Sequence, residues 1–406
     1  MIPKPTKDRF ILHSDLNCFF ASVATVLEPR YRGLPIAVCG DSEQRHGIVL
    51  AKSEAAKKMG VKTGMVTWQA KQLCPDLISV PPEYEAYEKF SRLTRCIYAR
   101  YTDYIEAFGI DECWLDISNI ANNITSATEI ANEIRNAVRE ELGLTVSIGV
   151  SFNKTFAKLG SDIKKPDAVT AIPYESFKEI VWPLPVESML GVGRSTQQKL
   201  STFGVHTIGE LAAIPLDLLE YKFGKIGTGL WLCANGLDTS PVVQKDFLYP
   251  IKSVGHGSTV AKDLTSNQQV WHLMLALSQE IGAKLRKHEK LARGIAVDIK
   301  TNDFVHFSWQ TQLSAPTDNT QTIAYEAYQL FLERYRWQTP IRSVTVRAIN
   351  LTEADTPTQL DVFTDSSQRV REEKLGRVID GLRDKYGDGI IRNAVLLENM
   401  YPDDEQ

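Results

Sequence analysis

Three carboxylates in two short stretches are the residues of this chain with the clearest chemical potential. Asp15 ends an apolar run, and the pair Asp111 and Glu112 stands between two further apolar runs. Crowded carboxylates need a cation between them, and Mg²⁺ prefers such hard oxygen ligands. Two such ions about 4 Å apart can activate a hydroxyl and stabilise a leaving oxygen in phosphoryl transfer. The alternative is a hydrated acidic turn, since Asp is common in turns.

The elements around these acids predict how they meet. The apolar pattern predicts strands, a helix start and a hairpin whose turn carries the acidic pair. In chain order these are a strand over 9–15, a helix start over 18–23, strands over 104–110 and 113–118, a helix over 127–142 and a strand over 145–150. This order resembles the split β-α-β plan of ferredoxin-like sheets. We expect such a sheet to bring Asp15 and Asp111 together.

Composition limits the class of protein. The chain has 406 residues, of which 43% are hydrophobic and 24% charged, so it is long enough for several folded domains and too apolar for a disordered protein. The apolar runs are too short to span a bilayer, and the first nine residues lack the core of a signal peptide. No C-x-x-C pair is present, which fits reduced thiols in the cytoplasm and argues against zinc. The cysteines are Cys18, Cys39, Cys74, Cys96, Cys113 and Cys233.

The second half of the chain has a different texture and charge. Two helices joined through Gly turns are expected between Leu190 and Leu211, and the stretch from Asn235 to Pro250 reads as a linker. A second β-α-β-β-α-β pattern follows. The net charge of the whole chain is −4, yet residues 251–350 hold 12 Lys and Arg against 8 Asp and Glu. This basic region favours a polyanionic partner, although a solvated charged face would look the same.

Two motifs together carry a resemblance to a known family. Residues 13–23 and 109–116 resemble the Y-family of translesion DNA polymerases, and the stretches 151–166 and 190–193 resemble its palm and thumb motifs. The resemblance covers roughly residues 9 to 352. It implies an α+β multidomain, right-hand polymerase with a ferredoxin-like palm, small fingers, a helix-hairpin-helix thumb and a β-α-β-β-α-β little finger. The implied bounds are palm 1–26 and 77–172, fingers 27–76, thumb 173–240, linker 241–252, little finger 253–352 and tail 353–406.

The resemblance also implies the catalytic centre. Asp15 and Asp111 would bridge two Mg²⁺ ions, for which Mn²⁺ can substitute, and Glu112 would hold the ion that activates the primer hydroxyl. The carbonyl of Leu16 would complete a metal site. Phe20 would stack under the incoming sugar and exclude a 2′-hydroxyl, although by itself it reads as an ordinary core residue.

Four positions match the family's contacts to the triphosphate of the nucleotide: Cys18, Phe19, Lys57 and Lys165. Lys57 stands where the family usually has arginine, which keeps the charge and loses bidentate geometry. Both lysines could equally be plain surface residues.

Three positions depart from the family pattern. Asn17 replaces an acid that is not normally a metal ligand, and Gly109 replaces a serine before the acidic pair. Glu54 replaces a tyrosine that touches the triphosphate. A carboxylate there should repel phosphate unless it points away.

The resemblance extends to DNA and to a replication partner. Primer–template DNA would be gripped through the backbone of Gly191 and Gly193 and through basic side chains that could also be a solvated helix face, namely Lys284, Arg286, Lys287 and Arg293. Residues 359–363 resemble the peptide that binds the sliding clamp, with Gln359, Leu360 and Phe363 as its contacts. The alternative is that Leu360 and Phe363 pack on the protein itself.

The function implied is template-directed, low-fidelity DNA synthesis across lesions, without proofreading, by a monomer that uses deoxynucleoside triphosphates. A catalytically weak paralogue that only binds primed DNA and the clamp is the main alternative, because of Glu54. A nucleotide cyclase is a third, since cyclases share the sheet with paired metal acids. The helical segment and the basic domain count against the cyclase.

Overall fold

The computed structural model describes residues 9–41, 45, 47–247, 249–356, 366–391 and 393–396. The chain forms two compact units, one made of residues 1–42 and 47–248 and the other of 43–46 and 249–406. Within the described ranges, no helix is both long and apolar enough to cross a membrane.

The first unit contains eight described strands and eleven described α-helices. Its strands are β1 (Ile11–Leu16), β2 (Ile36–Cys39), β3 (Val49–Lys52), β4 (Ile78–Val80), β5 (Ile105–Ala107), β6 (Glu112–Asp116), β7 (Val146–Ser151) and β8 (Val169–Ile172). Its helices are α1 (Phe19–Leu27), α2 (Glu54–Lys58), α3 (Thr67–Leu73), α4 (Tyr84–Tyr98), α5 (Ile124–Leu142), α6 (Lys154–Ile163), α7 (Phe177–Val181), α8 (Arg194–Ser201), α9 (Ile208–Ala213), α10 (Leu216–Phe223) and α11 (Lys225–Ala234).

The central sheet of this unit has the strand order β5-β6-β1-β7-β8. All six residues of β1 and all six of β7 are buried, because helices cover both faces of the sheet. Leu12 packs with the residues of α5 on one face, and Ile11 packs with Ala157 of α6 on the other. Helix α6 packs very closely on β7 at Gly149, because an added Cβ there would lie 1.8 Å from the carbonyl oxygen of Ala157.

A separate sheet with the order β3-β2-β4 lies between α1 and α4 in sequence. Its core contains Ala37, Val49 and Ala56. The predicted fingers range of 27–76 contains β2 and β3 and ends before β4, which pairs in parallel with β2. The strand has only three residues, which is too short for a periodic signal.

Five short helices, α7 to α11, build a third core around Phe156, Leu200 and Leu230. Thr207 is the N-cap of α9 and forms a capping box. Its hydroxyl accepts from the backbone N–H of Glu210, and the Glu210 carboxylate accepts from the backbone N–H of Thr207.

The second unit contains β9 (Ser253–Leu264), α12 (Asn267–Lys287), β10 (Lys290–Thr301), β11 (His306–Thr317), α13 (Thr320–Arg334), β12 (Ile341–Ile349), β13 (Thr352–Glu353) and α14 (Ser366–Tyr386). Its sheet has the order β11-β10-β12-β9 and is antiparallel throughout. One face packs on α12 and α13, with Val344, Val346 and Ala348 of β12 in the core. The residues between them, such as Thr345 and Arg347, face away from this core.

Helix α14 lies against α12. Arg286 of α12 pairs with Asp380 of α14 through two hydrogen bonds of 2.5 and 2.9 Å. Arg383 of α14 donates to Gln279 of α12 at 2.7 Å and to the carbonyl of Ile391 at 2.9 Å. The charged C-terminal helix is therefore part of the second unit.

Candidate active site

The register of two neighbouring strands brings the three acids together. Asp15 near the end of β1 pairs directly with Glu112 at the start of β6. The backbone N–H of Leu16 donates to the carbonyl of Asp111 at 3.0 Å, which fixes that residue beside the end of β1. The sheet therefore brings Asp15 and Asp111 together, as predicted, at one end of these two strands.

The surroundings of these carboxylates shift their pKa values in opposite directions. Burial raises the pKa of Asp15 to about 6, against the attraction of Lys165, and it raises the pKa of Asp111 as well. Glu112 is the opposite case. Burial disfavours its charged form, but the nearby His13 ring, 3.7 Å away, and the hydrogen bond from Lys158 lower the pKa of Glu112 to about 2. The cluster therefore requires positive charge nearby.

Lysines from one helix and the turn after it supply that charge. Lys154 and Lys158 lie one helical turn apart on α6, and Lys165 follows the helix. Each binds a carboxylate on a different strand: Lys154 to Glu106 of β5 at 2.6 Å, Lys158 to Glu112 of β6 at 2.6 Å, and Lys165 to Asp15 of β1 at 2.7 Å. The sequence analysis missed Lys158, although its spacing from Lys154 is the signal of a shared helix face.

The donor chemistry of the cluster fits divalent cations. Three carboxylates with partly buried oxygens are the hard ligands that Mg²⁺ prefers. Among the residues that the structure describes, no group of three or more His, Cys, Asp and Glu side chains is gathered as closely as a metal site needs. Lys165 pairs with Asp15 and Lys158 pairs with Glu112, so a bound cation would compete with these two lysines for the carboxylates.

The turn after β1 arranges the residues predicted to meet the nucleotide. Cys18 has a left-handed backbone, with φ of 49°, and precedes α1. The side chain of Asn17 donates to Ser147 at 2.9 Å and accepts from the backbone N–H of Asp167 at 2.9 Å. Asn17 therefore ties the turn that carries Lys165 to the sheet, a role that the sequence analysis did not assign.

Phe20 lies on the face of α1 that meets α4. Its ring stacks on Tyr87, with 3.9 Å between the ring centroids and 5° between the ring planes. Tyr84 meets Phe20 edge to face at 6.3 Å. Phe19 is buried behind it at 4% exposure. Phe20 is thus a half-buried aromatic held in one orientation, which suits a steric role.

Glu54 does not point away from the predicted nucleotide contacts. Its carboxylate accepts from the thiol of Cys18 at 3.2 Å, and the same oxygen lies 3.5 Å from the ammonium of Lys57. Burial, aided by this hydrogen bond, raises the pKa of the Cys18 thiol to about 11, so it stays a donor.

The predicted DNA contacts fall into different surroundings. Gly191 has a positive φ of 90°, and Gly193 is the N-cap of α8 with open space beside it. The side chain of Arg286 is only 10% exposed and is bound to Asp380, so it does not fit the prediction of a DNA contact. Its partner lies 94 residues along the chain, where no sequence pattern could show it. Lys284, Lys287 and Arg293 are exposed and stay predictions.

The predicted clamp contacts Gln359, Leu360 and Phe363 lie outside the described residues.

Comparisons with known proteins agree with this architecture. Residues 14–162 match the impB/mucB/samB family and residues 251–362 match the C-terminal domain of that family. Residues 187–238 match a domain described as the thumb domain of DNA polymerase iota. A solved Y-family DNA polymerase chimera superimposes with a TM-score of 0.74 at 25% identity, over 85% of this chain and 99% of its own.

Curated relatives extend over nearly the whole chain. DNA polymerase IV of Acetivibrio thermocellus is 47% identical over 391 residues, which are 96% of this chain and 98% of the relative. DNA polymerase IV 1 of Bacillus subtilis is 36% identical over 395 residues, or 97% of this chain and 94% of the relative.

The fold and the site define a right-hand polymerase with a palm, a thumb and a little finger. The chain belongs to the impB/mucB/samB family, which is the Y-family of polymerases that its motifs resemble. Its enzyme class is DNA-directed DNA polymerase.

Proposed function

We propose that this chain carries out low-fidelity, template-directed DNA synthesis across lesions, without proofreading. In this reaction a primer 3′-hydroxyl attacks the α-phosphate of a deoxynucleoside triphosphate and pyrophosphate leaves. The observation that carries the proposal is the register of Asp15 against Glu112, with Asp111 held beside them by the N–H of Leu16.

The three carboxylates and the Leu16 carbonyl would hold two Mg²⁺ ions, with Mn²⁺ as a substitute. When bound, such ions activate the attacking hydroxyl and neutralise the phosphates. The protein's own part is to hold Asp15 and Glu112 side by side on adjacent strands, so that the backbones that carry the oxygen ligands are positioned before substrate arrives.

Phe20 would select the sugar. Because its ring is stacked on Tyr87 at 3.9 Å, it cannot swing away from a 2′-hydroxyl without breaking that stack. Phe20→Ala should therefore admit ribonucleotides. The ratio of deoxynucleotide to ribonucleotide kcat/KM measures this, and an unchanged ratio would remove Phe20 from the role.

The triphosphate would lie against Lys57, Lys165 and the backbone of Cys18 and Phe19. Gly191 and Gly193 would offer backbone N–H groups to a DNA phosphate, which is a contact independent of sequence. We propose that the enzyme works as a cytoplasmic monomer, tethered to the sliding clamp through Gln359, Leu360 and Phe363. Replacing Leu360 and Phe363 by Ala should abolish stimulation by the clamp, and undiminished stimulation would place the contact elsewhere.

Primer extension tests the central proposal. Wild type is compared with Asp111→Ala on undamaged and abasic templates, with Mg²⁺ or Mn²⁺ and with a chelator. We expect wild-type extension, its loss in the chelator, and a loss of at least about 1,000-fold in Asp111→Ala with DNA binding retained.

Asp116→Asn is the matched control. It removes an acid at the far end of β6 from Asp111, where the Asp116 carboxylate accepts from the backbone N–H of Ser118 at 3.0 Å. Retained extension by Asp111→Ala would refute the assignment of the metal ligands. Tight DNA binding by the wild type without extension would favour the catalytically weak paralogue.

A further inference from the structure

Glu54 occupies a position between groups that the proposed function assigns to the nucleotide. Its Oε1 atom accepts from the Cys18 thiol at 3.2 Å and lies 3.5 Å from Lys57 Nζ. A cavity of about 210 Å³ is lined by Glu54 together with Asn17, Cys18 and Pro166, which follows Lys165. The carboxylate therefore borders the turn after β1 and the turn after α6.

The position of Glu54 is fixed by its helix. Ser53 caps α2 by accepting from the N–H of Ala56, and its hydroxyl donates to the carbonyl of Leu34 at 3.0 Å. The backbone N–H of Ile36 donates to the same hydroxyl at 3.0 Å. Ala56 is fully buried, so these contacts hold the backbone of α2 with Glu54 beside Cys18.

Both lysines proposed to bind the triphosphate are paired with carboxylates. Lys57 is paired with Glu54, and Lys165 is paired with Asp15 at 2.7 Å and with Asp162 at 2.8 Å. A triphosphate that uses Lys57 must take it from Glu54 and then lie beside that negative charge.

We infer that Glu54 competes with the nucleotide triphosphate for Lys57 and so weakens nucleotide binding. The inference rests on the proposed function, because it needs a triphosphate at Lys57. It adds that this chain carries a built-in acidic competitor, which raises the nucleotide concentration needed for synthesis and leaves the chemical step unchanged.

Glu54→Gln tests the inference, because the amide keeps the acceptor for Cys18 and removes the charge. The binding readout is the dissociation constant of the next correct deoxynucleotide on a dideoxy-terminated primer–template, and the kinetic readout is KM against kcat. We expect the dissociation constant and KM to fall about 5-fold at low salt with kcat unchanged, and the gain to shrink in high salt. Unchanged binding would overturn the inference.

Two further variants separate the causes. Asp76→Asn removes one negative charge from an exposed turn between α3 and β4, and we expect it to leave nucleotide binding as in the wild type. An equal gain in Asp76→Asn would mean a general charge effect and would overturn the inference. In a Lys57→Ala background the gain from Glu54→Gln should shrink, and a gain as large as with Lys57 present would overturn competition for Lys57.

The failure of the proposed function gives a different result. In that case the wild type extends no primer and binds no nucleotide on the dideoxy-terminated complex. If the wild type does both and Glu54→Gln matches it in every measurement, the inference alone is wrong.

Discussion

The two large sheets of this protein differ in how many of their faces are covered. In the first unit, β1 and β7 are buried along their whole length, because α5 and α6 pack on opposite faces. In the second unit, β12 alternates between buried and half-buried residues, because α12 and α13 cover one face. Asp15, Asp111 and Glu112 lie at one end of the strands of the doubly covered sheet. Burial raises the pKa of the two aspartates, and lysines pair with Asp15 and Glu112. The half-covered sheet presents polar side chains outward.

This difference teaches where substitutions should matter. A side chain or a glycine in the doubly covered sheet has neighbours that cannot move, whereas the half-covered sheet offers flexible side chains or solvent. The same chemical change should therefore cost more in the first unit than in the second.

The largest expected effect on stability is that of Gly149→Ala in β7. An added Cβ would lie 1.8 Å from the carbonyl oxygen of Ala157 and 2.5 Å from the backbone nitrogen of Ser161. Because backbone atoms of α6 must shift, we expect the free energy of unfolding to fall by about 3 kcal/mol or more. Urea unfolding followed by circular dichroism measures it. If the unfolding transition of the first unit is unchanged, the face of the sheet that meets α6 is not tightly packed.

Asn17→Ala should have the next largest effect. It removes the hydrogen bonds to Ser147 and to the N–H of Asp167, and so loosens the turn that carries Lys165. We expect a loss of about 1–3 kcal/mol in stability, from the buried groups left unpaired, together with a raised KM for nucleotide. Steady-state kinetics and thermal unfolding check both. Wild-type values of KM would mean that the turn is held by other contacts.

In the second unit, Asp380→Arg should detach α14 from α12. It places two like charges where Arg286 now pairs with Asp380 at 2.5 Å. We expect faster amide hydrogen exchange in α14 with the sheet still protected, because the contact is local. The double variant Arg286→Asp with Asp380→Arg should restore much of the protection. Equal exchange in all variants would mean that other contacts hold the helix.

The smallest effect should come from Gly255→Ala in β9, which is the counterpart of the change at Gly149. The added Cβ would lie 2.4 Å from the Cγ atom of Arg347, whose guanidinium pairs with Asp298 on the face away from the core. Because a side chain must shift there while the nearest backbone atom lies 3.2 Å away, we expect a loss of about 1 kcal/mol in the unfolding of the second unit. A loss as large as that of Gly149→Ala would remove the distinction between the two sheets.

The first unit's sheet was predictable where the chain signals it locally. The buried run before Asp15 and the hairpin around Glu112 have strong apolar patterns, and their pairing follows from the ferredoxin-like order. The third strand of the small sheet, Ile78–Val80, is too short to show a pattern. Its pairing with β2 therefore could not be predicted from the sequence.

The site was predictable in its acids and less so in their partners. Asp15, Asp111 and Glu112 lie in recognisable motifs, and the strand register places their backbones side by side. The contacts of Lys158 with Glu112 and of Arg286 with Asp380 join residues 46 and 94 positions apart. Such pairs depend on how helices pack on sheets, which single-sequence patterns do not contain.

Helix α6 carries both of the lysines that pair with Glu106 and Glu112. Lys154 and Lys158 belong to the same helix, and that helix packs on β7 through the close approach at Gly149. A sliding of α6 along the sheet would therefore lengthen the contacts to Glu106 and Glu112 at the same time. One helix thus couples the charges of β5 to those of β6, so a substitution that shifts α6 on the sheet would alter both ion pairs.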